Sequence, residues 1–200
     1  MKFTRKEKEF IEFVKSECKE LGVKCELKNT KYVKVDGIPC SGFFEDDEDG
    51  VRLVCAMNKK NAFEILVHEY CHMTQWNEGI KIWKTSSTAL SKISEWLEGK
   101  PVRNIKNAIQ KAIDLELDNE KRAVKIIKAW DLNIDTKSYI KKANAYLQFY
   151  QYMLVSRKWS KPNNSPYTNK NIVELMPANF RLDYTKLSAK RLKAYKTENI

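Results

Sequence analysis

Two hundred residues, 42% of them hydrophobic, suffice for one domain or a domain with an appendage, and no run of about 18 apolar residues is present to span a bilayer. The formal charge of +11 speaks about association with polyanions rather than about fold, although Glu45-Asp46-Asp47-Glu48-Asp49 gathers five negative charges in one place. Five cysteines, an odd number with no C-x-x-C pair, argue against a disulfide framework and a cysteine-based metal knuckle, and the start of the chain lacks the apolar segment of a secretory signal, so reduced thiols and a cytoplasmic setting are expected.

Residues 4–21 read as a helix, with Phe10, Ile11, Val14 and Leu21 on one stripe, a capping box from Thr4 to Glu7, and Gly22 as the stop. The apolar period then falls to two. Short strands are expected at 23–27, 32–35, 40–44 and 51–57, divided by turn signals at Lys28-Asn29-Thr30, at Asp36-Gly37 and at the acidic run ending in Gly50. Connections this short predict a small antiparallel sheet or meander. The acidic run is expected as the exposed turn of a hairpin that sets Cys40 opposite Cys55, because it lacks the alternating ligands and closing glutamate of a calcium loop.

The next helix carries His68-Glu69-Tyr70-Cys71-His72, which is H-E-x-x-H and uses both histidines of the chain. Four residues apart on a helix, His68 and His72 project from one face and suit a single cation. Glu69, beside the first of them, is placed to take a proton from a water on that cation. Asn61 and Glu64 are a candidate capping pair, and Phe63, Ile65, Leu66, Val67, Tyr70, Met73 and Trp76 make the helix apolar on most sides, so burial with the motif facing a cleft is expected. Cys71 reads as a small buried residue rather than a ligand.

A helix from about Ser86 to Leu97 should end at Gly99 and Pro101, and a long one should follow over 103–130. On the latter, Glu116 and Glu120 fall within the stripe of Ile105, Ile109, Ala112, Ala123, Ile127 and Trp130, while Asp118 points away. A carboxylate on an apolar face is costly unless paired or bound to metal. A hydrolytic zinc site needs a third protein ligand, and no third histidine exists, so either glutamate can serve. Residues 135–158 predict another helix capped by Asp135 and rich in tyrosine (Tyr139, Tyr146, Tyr150, Tyr152), followed by a loop over 160–166 and short helices near 172–176 and 187–195.

Short strands, an H-E-x-x-H helix and then a glutamate-bearing helix resemble the minimal core of zincin metallopeptidases of the gluzincin type, over roughly residues 40–130. Within that group, Glu120-Lys121-Arg122-Ala123 is similar to the E-x-x-A pattern in which ImmA/IrrE-type peptidases carry the third ligand, although Val124 stands where an asparagine is common. The resemblance therefore implies Glu120 as the ligand, with Glu116 behind it or as its substitute. Glu116 to Arg122 and Ala143 to Tyr146 are also similar to segments of uncharacterised zincin-like proteins encoded by bacteriophages, which would place this chain in a host cytoplasm. SprT-like proteases share the motif and a basic surface but generally use a third histidine.

The expectation is thus an α+β protein with a small antiparallel sheet packed on the motif helix and a mostly helical C-terminal half, zincin-like over 1–158, with loop and short helices over 159–200. Its expected activity is zinc-dependent peptide hydrolysis, with one Zn²⁺ per chain on His68, His72 and Glu120 and with Glu69 as general base acting on a protein or peptide. The alternative is a zincin-fold module with weak or no catalysis that binds nucleic acid or protein through its basic surface. Neither reading involves a membrane.

Overall fold

The computed structural model describes residues 3–35, 37–161 and 164–200. Asp36, in the predicted turn, and Pro162 and Asn163, in the predicted loop, lie outside the described residues, as do Met1 and Lys2. The chain is α+β. In order it forms α1 (Arg5–Glu20), β1 (Lys24–Lys28), β2 (Val33–Val35), β3 (Ile38–Cys40), β4 (Gly42–Asp47), β5 (Gly50–Ala56), α2 (Ala62–Asn77), α3 (Lys81–Leu97), α4 (Ile105–Ala129), α5 (Thr136–Ser156), α6 (Lys170–Glu174) and α7 (Ala189–Thr197). It divides into two compact units, Met1–Gly79 with Arg122–Ile134, and Ile80–Lys121 with Asp135–Ile200, the division falling within α4.

In the first unit, the capping box predicted for α1 is present in both directions: Glu7 N–H donates to Thr4 Oγ1 (3.2 Å), and Thr4 N–H donates to the Glu7 carboxylate (2.7 Å). These bonds satisfy donors that helix geometry leaves without partners. Gly22 at φ 70° ends the element. α1 buries Phe10, Val14 and Cys18. Phe10 and Phe13 both meet Tyr70 of α2 and Trp130 at centroid distances of 4.9 to 5.8 Å, and Cys18 Sγ lies 3.5 Å from Met73 Sδ. An aromatic seam of edge-on and tilted rings thus holds α1 against the helix that carries the motif.

The sheet departs from the antiparallel one expected. Its order is β1-β5-β4, with β1 parallel and β4 antiparallel to β5, while β2 and β3 form a separate antiparallel ribbon. Short connections favour antiparallel pairing only between strands that follow one another. β1 and β5 are separated by 29–49, which is long enough for a return in the same direction. The expected strand at 40–44 is split at Ser41, whose carbonyl accepts from Ala56 N–H (2.9 Å). Gly42 consequently sits opposite Cys55, and Cys40 pairs with Val33 instead. The expected hairpin is present, but Glu45, Asp46 and Asp47 continue β4 opposite Arg52, Val51 and Gly50, which leaves Glu48 and Asp49 for the turn.

α2 lies on β4 and β5 and is buried nearly all round, as its composition predicts. The Asn61–Glu64 cap does not form. Asn61 makes no side-chain capping bond, and the first turn is instead served by backbone, with Ala62 N–H donating to Lys59 O (3.1 Å) and Ile65 N–H to Asn61 O (3.2 Å).

In the second unit, α3 begins at Lys81, earlier than the predicted Ser86. Thr85 and Ser86 turn their hydroxyls back onto the Lys81 and Trp83 carbonyls (3.2 and 2.7 Å), so these residues ride inside the helix instead of opening it. α5 is capped by Asp135, which accepts from Lys137 N–H (3.0 Å), and ends at Arg157, a left-handed residue at φ 49°. The core gathers Ile93, Ile109, Ile113, Leu147, Phe149, Met153, Ile172 and Tyr195 from α3 to α7. A ladder of buried amides on α5 fastens the irregular chain before α7. Asn144 donates to the Pro177 and Asn179 carbonyls, Gln148 to Asp183 and Gln151 to Tyr184, at 2.8 to 3.2 Å. Such bonds satisfy backbone acceptors that no strand or helix would serve.

Candidate functional site

α2 brings His68, Glu69 and His72 onto consecutive turns of one buried helix. The imidazoles meet edge to face, with centroids 4.7 Å apart, and their Nε2 atoms approach to 3.2 Å. His72 Nδ1 lies 2.9 Å from Oε1 of Gln75, which is wholly buried. An amide oxygen only accepts, so the proton resides on Nδ1 and the lone pair of His72 faces His68. Two nitrogens each about 2.0–2.1 Å from a tetrahedral zinc stand about 3.3–3.4 Å apart, so the separation of 3.2 Å suits the ion that the motif implies.

Glu69 is 7% exposed, and the sheet presses on it. A Cβ placed on Gly42 would stand 2.7 Å from Ile65 Cγ2, 3.0 Å from the Val54 carbonyl oxygen and 3.1 Å from Glu69 Cγ. Glycine is therefore what lets β4 run against α2 at the motif. The Cys55 thiol is pushed well up by burial and then by the Glu69 charge, and Cys40 is raised by the same two causes. Both sulfurs are held as thiols beside the carboxylate. Cys71 is fully buried, as expected of a small packing residue.

The α4 glutamates belong to the second unit. Glu120 is 1% exposed and Glu116 half-buried, as a position in an apolar stripe predicts. Tyr150 of α5 is raised by burial and next by the Glu116 charge, and its hydroxyl lies 3.1 Å from that of Tyr146. Burial raises Tyr184, with the Glu120 charge adding to it against Arg191. The Tyr184 hydroxyl donates to Asn144 Oδ1 (2.6 Å). Two residues along, α4 enters the first unit, where Arg122 makes a two-pronged pair with Glu78 (2.7 and 2.8 Å) and reaches Thr74 Oγ1 (3.3 Å), fixing this end of α4 to the end of α2.

Two contributors escaped the sequence reading. Gln75 lies three residues beyond His72, a helical spacing that marks it as a neighbour, yet a polar residue on a buried helix is not distinctive by type. Gly42 was inside a predicted strand, where an isolated glycine signals close backbone approach. Comparison of the chain with family profiles, with curated proteins and with solved structures finds no match in any of the three.

Proposed function

We propose that the protein is a zinc-dependent peptidase of the zincin type. The observation that carries this reading is the pair of convergent imidazole nitrogens 3.2 Å apart with a buried glutamate at the adjoining position. His68 and His72 hold the ion, and a carboxylate of α4 completes the protein ligands.

Helix geometry supports Glu116 in that role. At about 100° per residue it falls between Ala123 and Ile127, about 20° from each, whereas Glu120 lies about 60° from the first and about 20° from the second. Both reference residues are buried on the stretch of α4 within the first unit. Glu120, the ligand that the resemblance implies, is then the residue behind the site, and metal content of the two alanine variants separates the assignments.

Bound there, zinc supplies Lewis acidity and a lowered pKa for a coordinated water. Glu69 takes the proton as water attacks the peptide carbonyl carbon and returns it to the amine as the C–N bond breaks, leaving a carboxylate and a free amine. β5 is the central strand, so the edge next to α2 belongs to β4. An extended peptide pairing with that edge would pass over the motif, and main-chain hydrogen bonds would hold it with little demand on side-chain identity. The test is incubation of the zinc-loaded protein with an unfolded protein substrate. Cleavage that a chelator abolishes and added zinc restores is expected; cleavage indifferent to chelator, or none by protein shown to hold zinc, overturns the reading.

A further inference from the structure

The charge of the chain is segregated. The first unit holds 16 Lys and Arg against 16 Asp and Glu, whereas the second holds 21 against 10 and so carries the whole +11. A charge serving solubility alone has no reason to gather in one unit. Within the second unit, α7 turns Leu192 and the fully buried Tyr195 toward the core and leaves Lys190, Lys193 and Lys196 exposed. At about 100° per residue these three span about 120°, Lys190 and Lys193 turned away from Tyr195 and Lys196 flanking Leu192, and at about 1.5 Å per residue they are spaced about 4.5 Å apart along the axis. None of them is in an ion pair with a described residue. The nearby carboxylate of Glu198 is taken by the Asn169 and Asn171 amides at 3.0 and 2.8 Å.

The same unit also carries an open aromatic side chain. Trp159 packs edge-on against Phe149 and Tyr150 at 5.8 and 6.0 Å, and Phe149 also meets Tyr195 of α7 at 6.5 Å. Half of the indole surface nevertheless remains exposed, with Lys158 and Lys161 on either side in sequence, both exposed. Exposed cations and an open aromatic ring within one unit suit a flexible polyanion with bases to stack. A membrane surface is served less well, because α7 has no outward apolar face to insert.

We infer that the second unit binds single-stranded nucleic acid, with Lys190, Lys193 and Lys196 on the phosphates and Trp159 stacking on a base. This surface stands on different residues from the proposed metal site, so either can fail without the other. Fluorescence anisotropy of the full-length chain with a labelled oligothymidylate, set against a duplex of the same length, provides the test. Affinity should fall steeply between about 50 and 200 mM salt, and Lys190→Glu/Lys193→Glu/Lys196→Glu should reduce the magnitude of the log–log salt slope by about 2 to 3. Trp159→Ala should weaken the single strand at least about fivefold while changing the duplex little. Reversal of three exposed lysines of the first unit, Lys8, Lys19 and Lys31, makes the same change in net charge and should leave affinity within about threefold. The proposal is overturned by absence of binding at low salt, by equal loss in the two triple variants, by a Trp159→Ala variant that keeps full single-strand affinity, or by binding confined to anionic phosphatidylserine vesicles.

Discussion

Glu69→Gln should retain its zinc and lose turnover by about 10²- to 10⁴-fold, the range ascribed to a positioned general base. Glutamine has nearly the same shape and can still accept a hydrogen bond, but it cannot take the proton of the attacking water. Glu69 is buried beneath β4 with protonated Cys40 and Cys55 beside it, so a neutral amide is tolerated and folding stability should not suffer. Cleavage rate and metal content are to be measured on the same preparation, which separates loss of chemistry from loss of the ion. Full turnover in the variant would remove Glu69 from the mechanism.

Gly42→Ala is the second substitution with a large expected effect, and here the cause is steric. The added methyl meets the Val54 carbonyl, which is backbone within the central strand and cannot yield, as well as Ile65 Cγ2 and Glu69 Cγ. Relief requires β4 to lift or Glu69 to move. Overpacking of this kind costs about 1–3 kcal/mol, and displacement of the base by a fraction of an ångström to an ångström should lower turnover by about 10- to 10²-fold. Gly50 serves as the comparison. A Cβ there meets nothing within 4 Å, but φ is 113°, so Gly50→Ala should lose stability through backbone strain alone and keep its activity per folded molecule. Thermal unfolding and cleavage rates of the two variants distinguish these effects; equal activity in both would show that β4 does not position Glu69.

What was legible in the sequence follows from how local the signals are. The capping box at Thr4, the Asp135 cap and the course of α4 each depend on residues within a turn or two, and each is present. The H-E-x-x-H spacing likewise carries its own geometry, because any helix brings His68 and His72 together. The parallel pairing of β1 with β5 was not legible, since β5 inserts between strands that precede it and nothing near Lys24–Lys28 records the distant partner. The start of α3 at Lys81 was not legible for a related reason. Hydroxyl residues bond equally well to a backbone N–H at a helix start or to a carbonyl within one, and the choice rests on the chain that packs around them. The confinement of net charge to one unit needs knowledge of where α4 changes unit, although the residues that produce it were all in view.

Metal binding by the two histidines of α2 with one carboxylate of α4 is tested by elemental analysis of purified, zinc-reconstituted protein. Wild type, His72→Ala, Glu116→Ala and Glu120→Ala are to be compared, each confirmed as folded. One zinc per chain is expected in wild type, none in His72→Ala, a deep loss in Glu116→Ala and retention in Glu120→Ala. Absence of stoichiometric metal from folded wild-type protein, or its undiminished presence in His72→Ala, would show that the histidine pair is not a metal site.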